Sequence, residues 1–403
     1  MKIGVIGAGQ FAGSFLGLWK LHPDVEAVYV TDLVAERAAE QQRRYGLDAV
    51  YATAEELMES DCDAVAVFTQ RWTHGTLVLQ ALDAGKHVYS AVPMSISADE
   101  ISAIVAKVEQ TGLIYQMGET SYYNPAVVYA RAKLAAGEFG RVFYAEGDYL
   151  HDMDNGFYAA YQFSGGDDWK RTASYPPMLY PTHAVGGVLG ALPTYASSVS
   201  CIGVRDERGD GVFDRQVSMF DNDFSNMSAH FGLADGGVMR TNEFRRLGHP
   251  AHVHESRFRF YGTDAVMEQT STGASWSTRD DITDSSELFY TRTSHAGAEQ
   301  AMGDLDPALV HSFSSGTAQV HDRSRLPAEF EGAPNGHEGA HHFLADDFVR
   351  AVTRGATPPV NAWTAARFTL PGIVAQASAL SDGQRLPVPD HGDGPPVDWR
   401  VFS

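Results

Sequence analysis

Within a chain of 403 residues, Tyr180 and His183 stand at a spacing that suits proton transfer. Three positions apart, they share one helix face if Thr182 opens a helix, with Pro181 shaping the approach. Histidine changes charge near neutral pH, and a tyrosine beside a cation or cofactor can give or take a proton. The competing reading packs Tyr180 in the core and bonds His183 to a backbone carbonyl. His151 and Asp152 follow a strand and are divided evenly between a site role and a strand-end hydrogen bond. His249, His252 and His254 alternate as metal ligands do, but no carboxylate or cysteine stands at a fitting distance along the chain, so no metal is expected. Arg71, Lys170, Arg171, Arg245 and Arg246 lie near predicted site loops; they could meet an anionic substrate group or simply face solvent.

A second constellation concerns phosphate. Gly7-Ala8-Gly9-Gln10-Phe11-Ala12 separates an apolar strand, Lys2 to Ile6, from a helical pattern carrying Phe15, Leu16, Trp19 and Leu21. Gly7 permits the tight turn, Gly9 lets a pyrophosphate approach the backbone, and Ala12 allows close helix packing. The helix start then offers amide donors and a partial positive charge. Asp32 ends the second strand, where a carboxylate accepts from a ribose 2′-hydroxyl and repels a 2′-phosphate, which favours NAD over NADP. Arg37 pulls the other way if it meets a phosphate, and not at all if it is a solvated helix charge.

The elements that must hold these groups follow from periodicity. Strands are expected at 2–6, 27–31, 49–52, 64–68, 87–90 and 113–117, alternating with helices at 34–45, 54–58, 75–84 and 98–111. This order indicates a parallel, doubly wound sheet. After about residue 120 the pattern changes to a helix at 125–136, a strand at 142–149 and several strand-like runs from 196 to 269, broken by Gly, Asp and Asn as an antiparallel sheet requires. Residues 270–335 read as polar loops, and helices return at 338–353 and 362–380. The expected architecture is therefore α/β: a Rossmann sheet over 1–120, then a domain over 121–403 with a large, mostly antiparallel open sheet.

A formal charge of −21 with no basic block argues against a nucleic-acid partner. Two cysteines, Cys62 and Cys201, cannot build a disulfide framework or a zinc cluster. No leader-like or membrane-length apolar run is present, so a cytoplasmic protein with no membrane partner is expected.

The N-terminal domain resembles the glucose–fructose oxidoreductase and inositol dehydrogenase (Gfo/Idh/MocA) family. The likeness rests on Asp63 to Val88: a strand ending at Thr69, then His74, then Ala81-Leu82-Asp83-Ala84-Gly85-Lys86-His87-Val88. Most members continue with Glu-Lys-Pro, whose lysine assists hydride transfer. Here Ala91-Val92-Pro93 stands instead, and valine can neither donate nor accept a proton. A narrower resemblance, over roughly residues 1 to 265, is to NAD-dependent glycosidases typified by bacterial α-N-acetylgalactosaminidases. It rests on Val92 before Pro93, on Glu119 in Met117-Gly118-Glu119, on Ala145 to Asp152, and most specifically on Leu179-Tyr180-Pro181-Thr182-His183.

That resemblance implies a redox-neutral hydrolysis: oxidation at the sugar's C3, loss of the C2 proton, elimination of the aglycone from C1, addition of water and return of the hydride. NAD-dependent hydrolases are a recognised exception to the two-carboxylate scheme. It implies catalytic roles for Tyr180, His183 and His151, and substrate contacts from Glu119, Tyr123, Asp152, Lys170 and Arg71, although Tyr122 and Tyr123 are more often packing residues. It implies a cofactor site of Gly7, Gly9, Gln10, Phe11, Asp32, Thr69, His74, Val92, Pro93 and Glu119. A homodimer or homotetramer acting on a small sugar glycoside is expected, with amino-sugar glycosides and sulfoquinovosides as candidates. The rivals are an NAD-dependent sugar or polyol dehydrogenase using His183 in place of lysine, and a non-catalytic NAD sensor. Retention of Tyr180, His183, His151 and Glu119 together argues against the latter.

Overall fold

The computed structural model describes residues 1–248, 255–289 and 316–402. Six strands, β1 (Lys2–Ile6), β2 (Ala27–Thr31), β3 (Ala49–Val50), β4 (Ala64–Val67), β5 (His87–Ser90) and β6 (Tyr115–Met117), form one parallel sheet in the order β3-β2-β1-β4-β5-β6. β1 and β4 are apolar along almost their whole length because helices cover both faces of the sheet. Those helices include α1 (Gln10–Leu21), α2 (Ala35–Tyr45), α3 (Ala54–Glu59), α4 (His74–Asp83) and α5 (Ala98–Thr111). Ser97 and Thr53 cap α5 and α3 by accepting backbone amides.

A second sheet of nine strands follows: β7 (Val142–Leu150), β8 (Ala196–Arg205), β9 (Phe224–Leu233), β10 (Val238–Phe244), β11 (Ser256–Gly262), β12 (Ala265–Gln269), β13 (Ala274–Thr278), β14 (Ile282–Asp284) and β15 (Leu386–Pro387). Its order is β14-β13-β12-β11-β7-β10-β9-β8-β15, antiparallel throughout except that β7 and β10 run parallel. The loop expected over 270–335 is thus corrected at its start. β13 alternates buried Ala274 and Trp276 with outward serines, and Trp276 packs edge-on against Phe139, a buried ring contact that outweighs the polar composition.

Four further helices are α6 (Pro125–Ala135), before β7, and α7 (Tyr158–Gly165), α8 (Trp169–Ala173) and α9 (Thr182–Ala191), which follow it. The last packs tightly on β7 and β11: a Cβ at Gly147 would strike the Ala184 carbonyl, and one at Gly187 the ring of Phe258. The helix expected from residue 338 begins at Ala340, because Glu338 (φ 56°) and Gly339 (φ 99°) are left-handed. This helix, Ala340–Arg354, and the helix Ala362–Leu380 return to the first sheet. Gln116 donates to the Leu344 carbonyl at 2.9 Å, and the Met117 amide donates to the Val360 carbonyl at 3.0 Å. No helix among the described residues is long and apolar enough to cross a membrane.

Candidate active site

The glycine turn after β1 is built from backbone. Gly7 adopts φ 99° with its Cβ position only 2.5 Å from the Phe68 carbonyl, so any side chain there would collide. Gly9 precedes α1 with no side-chain cap, and the space where its Cβ would lie is open for 4 Å. The first turn therefore presents uncovered amides to a clear volume, the donor set an anionic pyrophosphate requires. Asp32 accepts from the Ala8 and Val34 amides at 2.7 and 2.8 Å, which pins its carboxylate at the end of β2.

A cavity of about 1070 Å³ runs from this turn past Gln10, Phe11, Thr69 and Val92 to Tyr180 and His183. At its far end three side chains form a line. Glu119, wholly buried after β6, accepts from Nδ1 of His183 at 2.8 Å and from the Ser121 amide at 2.7 Å. An ionised carboxylate can only accept, so Nδ1 carries the proton and Nε2 is left facing the Tyr180 hydroxyl at 3.2 Å. Burial pushes the Glu119 carboxyl upward, but His183 beside it outweighs this and holds it below the ordinary range. Burial raises the Tyr180 phenol, and the Arg71 guanidinium opposes it from 4.3 Å over the ring. Pro181 precedes α9 and Thr182 opens it, which places Tyr180 one turn from His183.

A second line lies beside the first. Nδ1 of His151 is 3.1 Å from Glu255 and 3.1 Å from the Tyr149 hydroxyl, while Nε2 is 3.2 Å from the Asn155 carbonyl. The His151 ring stacks on Phe157, with centroids 3.6 Å apart. Tyr149 also packs on His183, centroids 4.6 Å apart. Arg71 donates to the Tyr161 hydroxyl at 2.7 Å and pairs with no carboxylate among the described residues. His337 completes the wall, its pKa lowered to about 4 by burial and by nearby His183.

Several expected site residues lie elsewhere. Tyr123 is core, stacked on Phe343 and bonded to Asp347, because its hydroxyl finds a buried carboxylate there. Asp152 is a structural cap, accepting from the Asp154 and Leu247 amides at 2.8 and 2.6 Å. Lys170 points away from the cavity to the Asp210 carbonyl at 2.7 Å. His74 is buried between the Pro93 and Thr69 carbonyls, at 2.8 and 3.1 Å, and braces the wall from behind; Pro93 sits with it, outside the cavity lining. Arg245 is paired to buried Glu243, and Arg246 to Asp206 and Asp210. His249, His252 and His254 lie outside the described residues.

Tyr149, Glu255 and His337 were not singled out from sequence. Tyr149 had a signal: Ala145, Gly147 and Tyr149 share the face of β7 that packs on α9. Glu255 reaches the site only through the pairing of β11 with β7, and His337 through a left-handed turn, neither of which leaves a local pattern.

Residues 1–119 match the oxidoreductase family with an NAD-binding Rossmann fold. That match is to the Rossmann domain of the Gfo/Idh/MocA family and covers the first sheet of the chain. The cofactor is NAD, and the uncovered turn amides and Asp32 fit that dinucleotide. The Gfo/Idh/MocA region is 34% identical over 139 residues to a 4-carboxy-2-hydroxymuconate-6-semialdehyde dehydrogenase of Sphingobium, spanning 34% of this chain and only 44% of that enzyme. A glycosyl hydrolase family 109 protein of Streptomyces filamentosus is 24% identical over 422 residues, covering 99% of this chain and 78% of that protein. Beyond the Gfo/Idh/MocA region, the whole architecture recurs in a scyllo-inositol dehydrogenase from Lactobacillus casei with bound NAD(H) and scyllo-inositol. That likeness has a TM-score of 0.68 at 14% identity, over 96% of this chain and 98% of that one.

Proposed function

We propose that the protein is an NAD-dependent glycoside hydrolase that ends each turnover with its cofactor unchanged. The observation that carries this reading is the Glu119–His183–Tyr180 line opening into the cofactor cavity, with Val92 where the family's dehydrogenases place a lysine. Full-length similarity to family 109 glycosyl hydrolases supports it. The turn amides after β1 and Asp32 would hold NAD, which when bound would supply the hydride acceptor and donor for the sugar's C3. The chain's own residues move protons. His183, held by Glu119, takes or returns a proton through the Tyr180 hydroxyl. Once C3 is a ketone, the C2–H is acidic; its proton passes to the base as the C1–O bond to the aglycone breaks. Water then adds at C1, the C2 proton is replaced, and the balance is hydrolysis.

Arg71 bears on the substrate. A guanidinium at the cavity wall, ringed by Tyr161, Tyr175 and Tyr180 and without a carboxylate partner among the described residues, suits a glycoside with an anionic group, such as a sulfoquinovoside, better than a neutral N-acetylated sugar.

Hydrolysis in deuterated water tests the route. Deuterium should enter C2 of the released sugar while no NADH accumulates. Product that keeps its C2 proton would refute the elimination. Stoichiometric NADH would establish the second reading, a sugar or polyol dehydrogenase, which structural neighbours acting on inositol favour.

A further inference from the structure

Arg37 lines the cofactor cavity and is held by a partner from a distant element. From α2 it reaches across the mouth of the cofactor cavity to α7, where its Nη2 donates to the Phe163 carbonyl at 2.8 Å and its guanidinium lies 4.3 Å from the centre of the Phe163 ring. The two residues are 126 positions apart, and the contact joins a helix of the dinucleotide fold to a segment inserted after β7. A second tie is the bond from Arg71 to Tyr161, on the inner side of the same helix.

Two further observations mark what this segment covers. Phe157, Ala160, Phe163 and Ser164 line the same cavity as Gly9, Asp32 and Leu33. Leu33 is fully exposed, and Phe163 is 49% exposed, although both are large apolar side chains at that mouth. Apolar groups left bare on either side of a cavity mouth next to Asp32 suit a flat aromatic ring. The segment packs, with Val212 and Phe213 of the connection between β8 and β9, into a small apolar cluster separate from the main core, which sets it apart from the sheets it adjoins.

We propose that α7 is the outer wall of the adenosine subsite, latched by the Arg37–Phe163 contact, and that it retains the dinucleotide over many turnovers. Leu33 and Phe163 flank the adenine, and release of the cofactor requires the latch to open. Such retention suits an enzyme that regenerates its cofactor in place and hinders one that must exchange it every cycle. The inference concerns cofactor release alone and stands or falls independently of any glycoside.

The full-length protein loaded with the fluorescent 1,N⁶-etheno analogue of NAD, then chased with excess NAD, gives the release rate directly. Arg37→Ala and Phe163→Ala should each speed release roughly tenfold or more, because loss of a closing contact acts mainly on the off-rate. Arg37→Lys should fall between them and the unchanged protein, since it keeps the charge but loses the planar donor. Variants that load and release at the original rate would overturn the proposal. If a variant fails to fold, amide exchange in the unaltered protein decides: residues 158–165 should exchange at least several-fold more slowly with NAD bound, and equal exchange would overturn the clamp.

Discussion

The two Tyr–His–Glu lines in the cavity use the same residue types and differ in wiring. In the first, Glu119 and Tyr180 occupy opposite nitrogens of His183, so the imidazole stands in series between carboxylate and phenol. In the second, Glu255 and Tyr149 crowd one nitrogen of His151, and the other faces the Asn155 carbonyl. A proton can be handed through His183 from one side to the other. His151 has no such passage; its ring, stacked on Phe157, fixes Tyr149 and the segment behind it. The difference teaches that composition alone does not make a relay; which nitrogen meets which partner does.

The sharpest way to break this contrast is to remove the first line. Tyr180→Phe and His183→Ala should each lower kcat by roughly 10²–10⁴-fold, the range for losing one acid–base group, while NAD binding measured by calorimetry persists. Glu119→Gln should lower it by roughly 10²–10⁴-fold as well, since the amide can no longer hold the Nδ1 proton in place as an anion does. His151→Ala and Glu255→Gln should act more weakly, changing kcat by less than about tenfold and KM by more. Equal losses from both sets would dissolve the distinction.

A smaller effect concerns stability. His337 titrates at about 4 because burial and the adjacent His183 disfavour its charge. The unfolded chain binds that proton first, so the contribution is full above about pH 6.5 and is lost as pH falls towards 4, by about 3 kcal/mol. Urea denaturation at neutral and acid pH should show this slope, and His337→Gln should flatten it.

The ends of the cavity differ in how openly the chain states them. The turn at Gly7 and Gly9 and the acid at Asp32 fall within one strand–helix–strand unit, where local rules of backbone conformation hold, and they could be read directly. Tyr180 and His183 were legible as an i, i+3 pair at the start of α9. Tyr123, Asp152 and Lys170 misled because their neighbours in the fold, Asp347, Leu247 and Asp210, are distant in sequence and offered each a structural partner. Glu255 and His337 arrive by strand pairing and a left-handed turn, and single-chain periodicity carries neither.

The return of the C-terminal helices has a mechanical consequence. The helix Ala362–Leu380 bears on both sheets: just before it Val360 accepts from Met117 of β6, and near its end Ser378 accepts from the Cys201 amide of β8 at 3.0 Å. One helix thus ties the six-stranded sheet to the nine-stranded sheet, so that melting of either loosens its hold on the other. Saturating NAD should then raise the melting temperature of the whole molecule in a single step, as mass action on one cooperative unit requires.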